Sequence, residues 1–504
     1  MIRLGLLFLL LLTIPVQAEP PLSTPGFNAE LTAEVYAAAL AFIAPRALDP
    51  VTVPQLAVWG LRGLTALDPD LVVGESGGRL VLAMMQRTIY AAPPPAAATP
   101  QAWAAAVVSI AQAAWTASGA VRRAGTQGII QSFFDEMFNH FDPYSRYVPP
   151  GRAAEEEAEG QGSVGIGLTV AAIRGAIVVT AISPDGPAID SGLRVGDRIV
   201  SVNGEPTAGQ ESATVAEWLA GAEGSAVRVV WRAHDGRLRR ADVVHTVARS
   251  HTVFAERVAA MLVLRLTGFS RDTDVEVDDP LTQAFSSRRQ PDGIVLDLRG
   301  NRGGLLAEAV AVAAELLPAG VVATEQGRDP AANRVWDSPG GELAKDVPVI
   351  VLVDGRTASA AEVLAAALAD RGRAVVVGSS TFGKGLVQTF TTLPDGGELF
   401  VTWSRVLAPR GWPIQGLGVL PQVCTSLGID ALEGQLQALA SGVQPMEAAI
   451  ERARKIRATV PAAEVVAIRS ACPAAEGREL DLEVAHFLIG NPAAYAAALL
   501  PPMR

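Results

Sequence analysis

A serine and a lysine lie in turns where their side chains could do chemistry. Ser359 lies in VLVDGRTASAAEVLAAALAD, where an apolar strand ends and a helix begins. Lys384 follows another apolar strand in VVVGSSTFGKGLVQTF and has a glycine on each side. Burial disfavours the ammonium form of a lysine, and a neutral amine can take the proton of a serine hydroxyl. The pair therefore predicts nucleophilic catalysis by a serine with a lysine as its base, a known variant of the catalytic triad.

Other groups stand where this chemistry would need them. Gly303 and Gly304 form a turn in DLRGNRGG, and backbone N–H groups there and at Ala360 could stabilise an oxyanion. Gln388 follows Lys384 by four positions and could orient its amine. The five histidines lie outside these turns, so a Ser-His-Asp triad is not indicated.

Each of these features also has a simpler interpretation. A lone serine at the start of a helix most often only caps that helix. Gln388 could be an amide on the surface of a strand, and the glycines of DLRGNRGG could bind phosphate. No GK[ST] follows those glycines, which argues against a phosphate loop.

Alternating strands and helices must position these turns. Beyond residue 252 apolar strands alternate with Ala-rich helices, which predicts a parallel or mixed sheet with helices on its faces. Sites in such folds lie in loops at the carboxyl ends of the strands. Between about residues 162 and 247, short β-branched runs separated by turn residues predict a small β-rich domain, with a hairpin turn at Asp235 and Gly236.

The flanking regions are helical in their period. Residues 28 to about 90 and residues 101–140 show this period on either side of the linker APPPAAATP, and the chain returns to helix after about residue 425. None of these regions contains a group of residues suited to chemistry. Cys424 and Cys472 either form one disulfide or remain two separate buried thiols.

Length, charge and the first residues limit the class of protein. A chain of 504 residues predicts two to four domains, and a net charge of −11 argues against nucleic acid as a partner. Arg3, the apolar run that follows it and the small residues Val16 and Ala18 predict a secretory signal cut after Ala18. The run is shorter than the roughly 20 residues that span a bilayer, so an uncleaved anchor is the weaker alternative.

Taken together, these segments resemble the C-terminal processing peptidases, also called tail-specific proteases, which join a PDZ domain to a Ser/Lys peptidase core. The resemblance covers roughly residues 128–423. The segments FDPYSRYV, GIGL, SPDGPAIDSGLRVGDRIVSVNG, DLRGNRGG, TASAAEVLAAALAD, TFGKGLVQ and WPIQGLGVLPQV follow in the order of the family. The family's nucleophile precedes its lysine by 25 positions, which is also the spacing of Ser359 and Lys384.

The resemblance implies a role for each matching residue. Ser359 would be the nucleophile, Lys384 its general base and Gln388 the supporting glutamine. The amides of Gly304 and Ala360 would hold the oxyanion. The implied activity is that of a serine endopeptidase. No metal or organic cofactor is implied, since the sequence shows no ligand cluster of His, Cys and carboxylates.

The PDZ part of the resemblance implies how substrates are recognised. Such domains add a peptide strand to a sheet edge and bind its terminal carboxylate. The loop that would do so here is Gly165, Ile166, Gly167 and Leu168. We expect protein or peptide substrates bound by their C-termini, with apolar ends preferred if Ile166, Leu168 and Leu193 line the pocket. Whether the protein needs an activator or adaptor protein, and whether it forms a homo-oligomer, are left open. The expected location is the periplasm or the outer face of the inner membrane.

The predicted fold class is multidomain α+β. A signal peptide (1–18), an N-terminal helical region with the Pro/Ala linker (19–100) and a helical lead-in (101–160) precede the β-rich PDZ domain (161–248). A βα-repeat peptidase core of the ClpP/crotonase-like kind (249–424) and a C-terminal helical region (425–504) follow.

Two other functions compete: a catalytically silent PDZ scaffold that binds exported proteins, and a hydratase or acyl-CoA enzyme. The second would share the oxyanion glycines but would not explain the PDZ domain.

Overall fold

The computed structural model describes residues 26–152, 164–173, 175–182, 186–247, 251–458 and 460–501. The predicted signal peptide lies outside this part of the chain. The chain divides into two compact units, one of residues up to Ala37 with Ala57–Met137, the other of Ala38–Leu56 with Phe138–Arg504. No helix among the described residues is both long and apolar enough to cross a membrane.

The first unit combines helices with a small antiparallel sheet. Aromatic side chains form part of its core, where the rings of Tyr36 and Phe133 stack with centroids 4.0 Å apart. The elements from the start of the described chain to the end of this unit are α1 (Ala29–Arg46), α2 (Val53–Leu61), α3 (Gly63–Leu67), β1 (Leu71–Ser76), β2 (Arg79–Met84), β3 (Arg87–Ala92), α4 (Pro100–Ala117) and α5 (Gly119–Phe138).

The prediction of helix from residue 28 to about residue 90 is wrong for its last third. Strands β1, β2 and β3 form an antiparallel meander instead. Gly77 and Gly78 turn the first hairpin, and both have positive φ, of 57° and 70°. A two-residue turn with positive φ at both positions matches the twist of paired strands, and Gly-Gly is a known sign of it. The local turn signal therefore outweighs the helical period here.

The predicted β-rich domain forms a sheet in the order β11-β10-β8-β7-β6, with β9 paired to β8. Ile166, Leu193 and Trp231 belong to its buried core. The predicted hairpin is present, since β10 and β11 pair on either side of Gly236, whose φ is 77°. The elements are β5 (Val164–Gly165), β6 (Leu168–Ile173), β7 (Ala176–Ile182), α6 (Pro187–Asp190), β8 (Arg198–Val202), β9 (Glu205–Pro206), α7 (Ser212–Leu219), β10 (Ala226–Arg232), β11 (Leu238–Val244) and β12 (Thr246–Val247).

The main sheet of the peptidase region is mixed, in the order β13-β14-β15-β18-β19-β22. Strands β13 and β14 pair antiparallel, and the rest pair in parallel. The middle strands are fully buried apolar runs, as expected for a parallel sheet covered by helices on its faces. Its elements are β13 (Val253–Val258), β14 (Met261–Leu266), α8 (Thr273–Ser286), β15 (Gly293–Asp297), α9 (Leu306–Leu316), β18 (Val349–Val353), α10 (Ala360–Asp370), β19 (Val375–Gly378) and β22 (Val423–Cys424).

A second, antiparallel sheet lies beside the turn that contains Lys384, which we call the lysine turn. Its order is β17-β16-β21-β20, and β4 from FDPYSRYV pairs with β21. The sequence patterns did not predict this sheet. Strand β16 pairs with β17, and β20 with β21, as local hairpins, whereas the pairs that assemble the sheet, β16 with β21 and β4 with β21, join distant parts of the chain. Its elements are β4 (Arg146–Val148), β16 (Gly320–Gly327), β17 (Arg334–Ser338), β20 (Leu386–Thr392) and β21 (Glu398–Leu407).

The described residues after residue 425 form helices joined by short loops, as predicted. A disulfide joins Cys424, at the end of β22, to Cys472 in this region. Of the two interpretations of these cysteines, the structure contains the disulfide. The helices are α11 (Ile429–Ala440), α12 (Glu447–Arg454), α13 (Ala462–Arg469), α14 (Glu479–Gly490) and α15 (Pro492–Ala498).

Candidate active site

Ser359 occupies a strained turn between β18 and α10. Its φ is 58° and its ψ is −123°, a region that residues with a side chain rarely adopt. Strain of this kind persists only where the surroundings enforce it, and it is common at functional sites. Ser359 is half-buried, at the carboxyl end of a buried parallel strand, as the sequence pattern predicts.

The glycine turn of DLRGNRGG lies against Ser359. The fully buried side chain of Asn301 accepts a 2.8 Å hydrogen bond from the Gly303 N–H, and its backbone carbonyl accepts one of 2.9 Å from the Ala358 N–H. A Cβ atom at Gly303 would lie 2.7 Å from the Cβ of Ser359. Only glycine can therefore approach the serine so closely at this position.

Gly304 and Ala360 present backbone N–H groups beside this turn. Gly304 has a φ of 140°, and a Cβ there would lie 2.1 Å from the carbonyl oxygen of Phe269. The Phe269 N–H donates to the carbonyl oxygen of Gly303, and the Phe269 carbonyl oxygen accepts the N–H of Leu305. These two hydrogen bonds fix the peptide planes on both sides of Gly304. Within the described chain, the N–H groups of Gly304 and Ala360 donate no hydrogen bond to the protein. Both are therefore available to a ligand oxygen.

Lys384 is half-buried at the start of the second sheet. Its Nζ lies 5.0 Å from the centroid of the Tyr144 ring, which belongs to FDPYSRYV. Desolvation lowers the pKa of Lys384, and the positive charge of Arg146 lowers it further, whereas Glu362 opposes both effects. Burial and the charge of Arg146 thus favour the neutral amine that the predicted serine/lysine catalysis requires.

A glutamate that was not predicted from the sequence joins the turn that contains Ser359, which we call the serine turn, to the lysine turn. Glu362 is fully buried, and one of its oxygens, Oε2, accepts the N–H of Ser359 at 2.9 Å and the N–H of Lys384 at 2.8 Å. Its other oxygen, Oε1, accepts the N–H of Gly383 at 2.7 Å and the hydroxyl of Thr381. Burial raises the pKa of Glu362, while these four donors oppose that shift and suit an ionised carboxylate.

Gln388 has a different partner from the one predicted. Its Nε2 donates to the hydroxyl of Thr402 at 2.9 Å, and that hydroxyl donates to Asp142 at 2.8 Å. Asp142 also accepts the N–H groups of Tyr144 and Ser145. The glutamine thus belongs to a network that holds FDPYSRYV on the second sheet, and its action on the Lys384 amine stays a prediction.

The predicted PDZ loop lies at the start of edge strand β6. Gly165 ends β5, Gly167 has a φ of 72°, and Leu168 begins β6. The side chain of Ile166 is buried in the core of the domain, whereas that of Leu168 is half-buried. Ile166 and Leu193 therefore contribute packing and do not line a surface pocket, and binding of a carboxylate by this loop stays a prediction.

Comparison with known proteins agrees with this arrangement. The profile of peptidase family S41 matches residues 260–425, and that of the PDZ domain matches residues 178–232. The chloroplastic C-terminal processing peptidase of Tetradesmus obliquus is 34% identical over 330 residues, which are 60% of this chain and 70% of that protein. The carboxy-terminal-processing protease of Bartonella bacilliformis is 30% identical over 306 residues, covering 59% and 69%. The chain belongs to peptidase family S41.

This S41 peptidase is thus a serine peptidase of the C-terminal processing group with a PDZ domain, as the sequence resemblance implies. A solved structure that it matches is the photosystem II D1 C-terminal processing protease, at 28% identity. That match covers 74% of this chain and 92% of the other, with a TM-score of 0.38.

Glu362→Gln is expected to weaken both the fold and the activity. In either orientation the amide would turn its NH₂ group toward at least one backbone N–H donor: Gly383 on one side, or Ser359 and Lys384 on the other. At least one of these donors therefore loses its acceptor. We expect unfolding free energy to fall by about 1–3 kcal/mol, measured by urea denaturation. We also expect kcat to fall by about tenfold or more, because the serine and lysine turns lose their common acceptor.

Glu464→Gln, which removes one partner of the surface pair with Arg452, is the control and should change stability by less than about 1 kcal/mol. Equal effects of the two substitutions would contradict this role of Glu362.

Proposed function

We propose that this S41 peptidase is an exported endopeptidase that binds protein C-termini through its PDZ domain and cuts peptide bonds with Ser359 and Lys384. The observation that carries the proposal is the Glu362 carboxylate. Its Oε2 accepts the backbone N–H groups of both residues, so the two turns are fixed side by side. A serine and a partly desolvated lysine held together in this way suit acyl transfer.

The first half-reaction forms an acyl-enzyme. Neutral Lys384 takes the hydroxyl proton of Ser359 as Oγ attacks the carbonyl carbon of the peptide bond. The carbonyl oxygen becomes an oxyanion, for which the N–H groups of Gly304 and Ala360 are the proposed donors. The intermediate then collapses: the C–N bond breaks, and the amine leaves with a proton from the Lys384 ammonium. An ester on Ser359 remains.

The second half-reaction releases the acyl group. Lys384, neutral again, takes a proton from a water molecule whose oxygen attacks the ester carbon. Collapse of this second tetrahedral intermediate returns the proton to Ser359 Oγ and frees the new carboxyl group. Gln388 is the proposed support of the amine during both steps.

The PDZ domain offers an edge for substrate binding. Among the residues that the structure describes, β6 is the last strand of its sheet, so its outer N–H and C=O groups can pair with an added peptide strand. Gly165, Ile166, Gly167 and Leu168 precede or begin this strand and are the proposed carboxylate loop. Substrates would therefore be proteins or peptides with accessible C-termini.

Export is supported by two features of the chain. The first eighteen residues have the pattern of a secretory signal. Cys424 and Cys472 form a disulfide, which is typical of oxidising compartments such as the periplasm. The proposed location is the periplasm or the outer face of the inner membrane.

Cleavage by the chain that begins at Glu19 tests the proposal. The substrate is an unfolded protein with an apolar C-terminus, compared with the same protein ending in two aspartates. Leu168→Asp places a charge at the start of β6, and we expect it to lower kcat/KM for the apolar substrate about tenfold through KM, equivalent to about 1.4 kcal/mol. Leu238→Asp, an exposed position on the opposite edge strand β11, is the matched control and should leave kcat/KM unchanged.

Each outcome of this assay decides one part of the proposal. Equal cleavage of both substrates, or no effect of Leu168→Asp, would contradict recognition through the PDZ edge. Binding of the substrate without cleavage would favour the catalytically silent scaffold.

A further inference from the structure

We infer that Arg469 is a positioning residue for the lysine turn, and that residues 469–477 of the C-terminal region brace this turn in its active geometry. The sequence leaves the role of this region open. The inference rests on the proposed function of Lys384 and extends it to a part of the chain outside the S41 profile match, which ends at residue 425.

Arg469 joins two loops around the site. Its Nη2 donates to the carbonyl oxygen of Thr381 at 2.6 Å, and its Nη1 donates to that of Leu417 at 2.9 Å. Thr381 lies three residues before Lys384, and its hydroxyl donates to Glu362. The threonine is therefore held from one side by the guanidinium and from the other by the buried carboxylate.

The two residues before Thr381 bind the same C-terminal segment. The hydroxyl of Ser380 donates to the carbonyl oxygen of Cys472. The hydroxyl of Ser379 donates to the carbonyl oxygen of Ala475 at 2.9 Å and accepts the N–H of Ala475 at 3.0 Å. Three consecutive residues that lead from β19 to the lysine are thus each hydrogen-bonded to residues 469–475.

The segment also contacts the serine turn. The carbonyl oxygen of Ala475 accepts the N–H of Gly355 at 2.8 Å, and the N–H of Gly477 donates to Asp354 at 3.3 Å. The disulfide from Cys472 to Cys424 attaches the segment to β22, which pairs with β19. The same short stretch therefore fixes the approaches to both Ser359 and Lys384.

Loss of the brace should change the environment of the amine. The charged and titratable groups around Lys384 are Glu362 from α10, Arg146 from β4 and Tyr144 from the turn before β4. If the lysine turn loosens, water reaches the amine and the desolvation that lowers its pKa is reduced. The pKa of Lys384 then rises, and the neutral base forms only at higher pH.

The test compares Arg469→Ala, Arg469→Lys and Arg452→Ala in the chain that begins at Glu19. A peptide substrate is used, and kcat and KM are measured across a pH series below the melting temperature of each variant. We expect Arg469→Ala to lower kcat by about 10- to 100-fold, with KM unchanged and the acid limb of kcat shifted to higher pH. Arg469→Lys keeps a donor and should recover part of the loss. Arg452→Ala removes an arginine of the same region that pairs with Glu464, and it should behave as the wild type.

Two results would overturn the inference. One is a kcat for Arg469→Ala within twofold of the wild type. The other is a fall in kcat with an unshifted acid limb and no recovery in Arg469→Lys, because loss of general stability alone would produce it. Ser359→Ala is assayed beside these variants. If it keeps activity, the proposed function fails; if it loses activity while Arg469→Ala does not, only the role of Arg469 fails.

Discussion

Ser359→Ala is expected to lower kcat by about 10⁴-fold or more while leaving the fold intact. The substitution removes the proposed nucleophile, and loss of that group in a serine hydrolase removes nearly all of the catalysis that its catalytic residues provide together. Alanine carries the same Cβ as serine, so the strained backbone at a φ of 58° is affected little. The measurement is the rate of release of new amino termini from the unfolded protein, together with the melting temperature.

The matched control for Ser359→Ala is Ser441→Ala. Ser441 lies exposed at the end of α11, where its hydroxyl donates to carbonyl oxygens of its own helix. We expect this variant to cleave at the wild-type rate. Cleavage by Ser359→Ala at a comparable rate would show that another group is the nucleophile.

Lys384→Ala is expected to lower kcat by about 10³-fold, the scale of a lost general base. The wild-type rate should also depend on pH in a definite direction. Only the neutral amine accepts a proton, and its fraction rises as the pH passes upward through the pKa. Because burial and Arg146 lower that pKa, the rise should occur below the value of about 10.4 for free lysine.

Lys384→Arg separates the base from the charge. Arginine keeps a cation at this position but does not deprotonate in proteins, so the loss of rate should match that of Lys384→Ala. Both variants should lack the rise of kcat with pH. Lys455→Ala, at an exposed position, is the control. A Lys384→Arg variant with near wild-type activity would contradict the role of the amine as a base.

Most of the fold around the site could be predicted from local patterns. Ser359 and Lys384 both follow buried apolar strands, β18 and β19, which are neighbours in the parallel sheet. The carboxyl ends of neighbouring parallel strands meet at one edge, so the patterns alone predict that these turns lie close together. The turn at Gly236 was equally readable, because Asp-Gly between β runs is a strong hairpin signal.

Some features had a local signal that was overlooked. The Gly77-Gly78 turn was sufficient to predict the hairpin of β1 and β2. Likewise, Ser359 and Glu362 stand three positions apart at a helix start, the spacing of a capping box in which the glutamate accepts the N–H of the first residue. That pattern could have identified Glu362 as a partner of the serine turn.

Other features had no local signal. Glu362 also binds Gly383 and Lys384, and Arg469 binds Thr381 from a helix 88 positions further along the chain. The pairing of β4 with β21 joins strands about 250 residues apart. Such contacts depend on the assembled tertiary structure and not on the propensity or period of any one segment, so a single sequence does not reveal them.

Trapping the acyl-enzyme tests most directly whether Ser359 is the nucleophile. The wild-type chain is mixed with a peptide substrate, the reaction is quenched with acid during turnover, and the protein is digested and analysed by mass spectrometry. We expect the fragment that contains Ser359 to gain the mass of the acyl part of the substrate, and Ser359→Ala to show no such adduct. An adduct on another residue in the wild-type chain would contradict the assignment of Ser359 as the nucleophile.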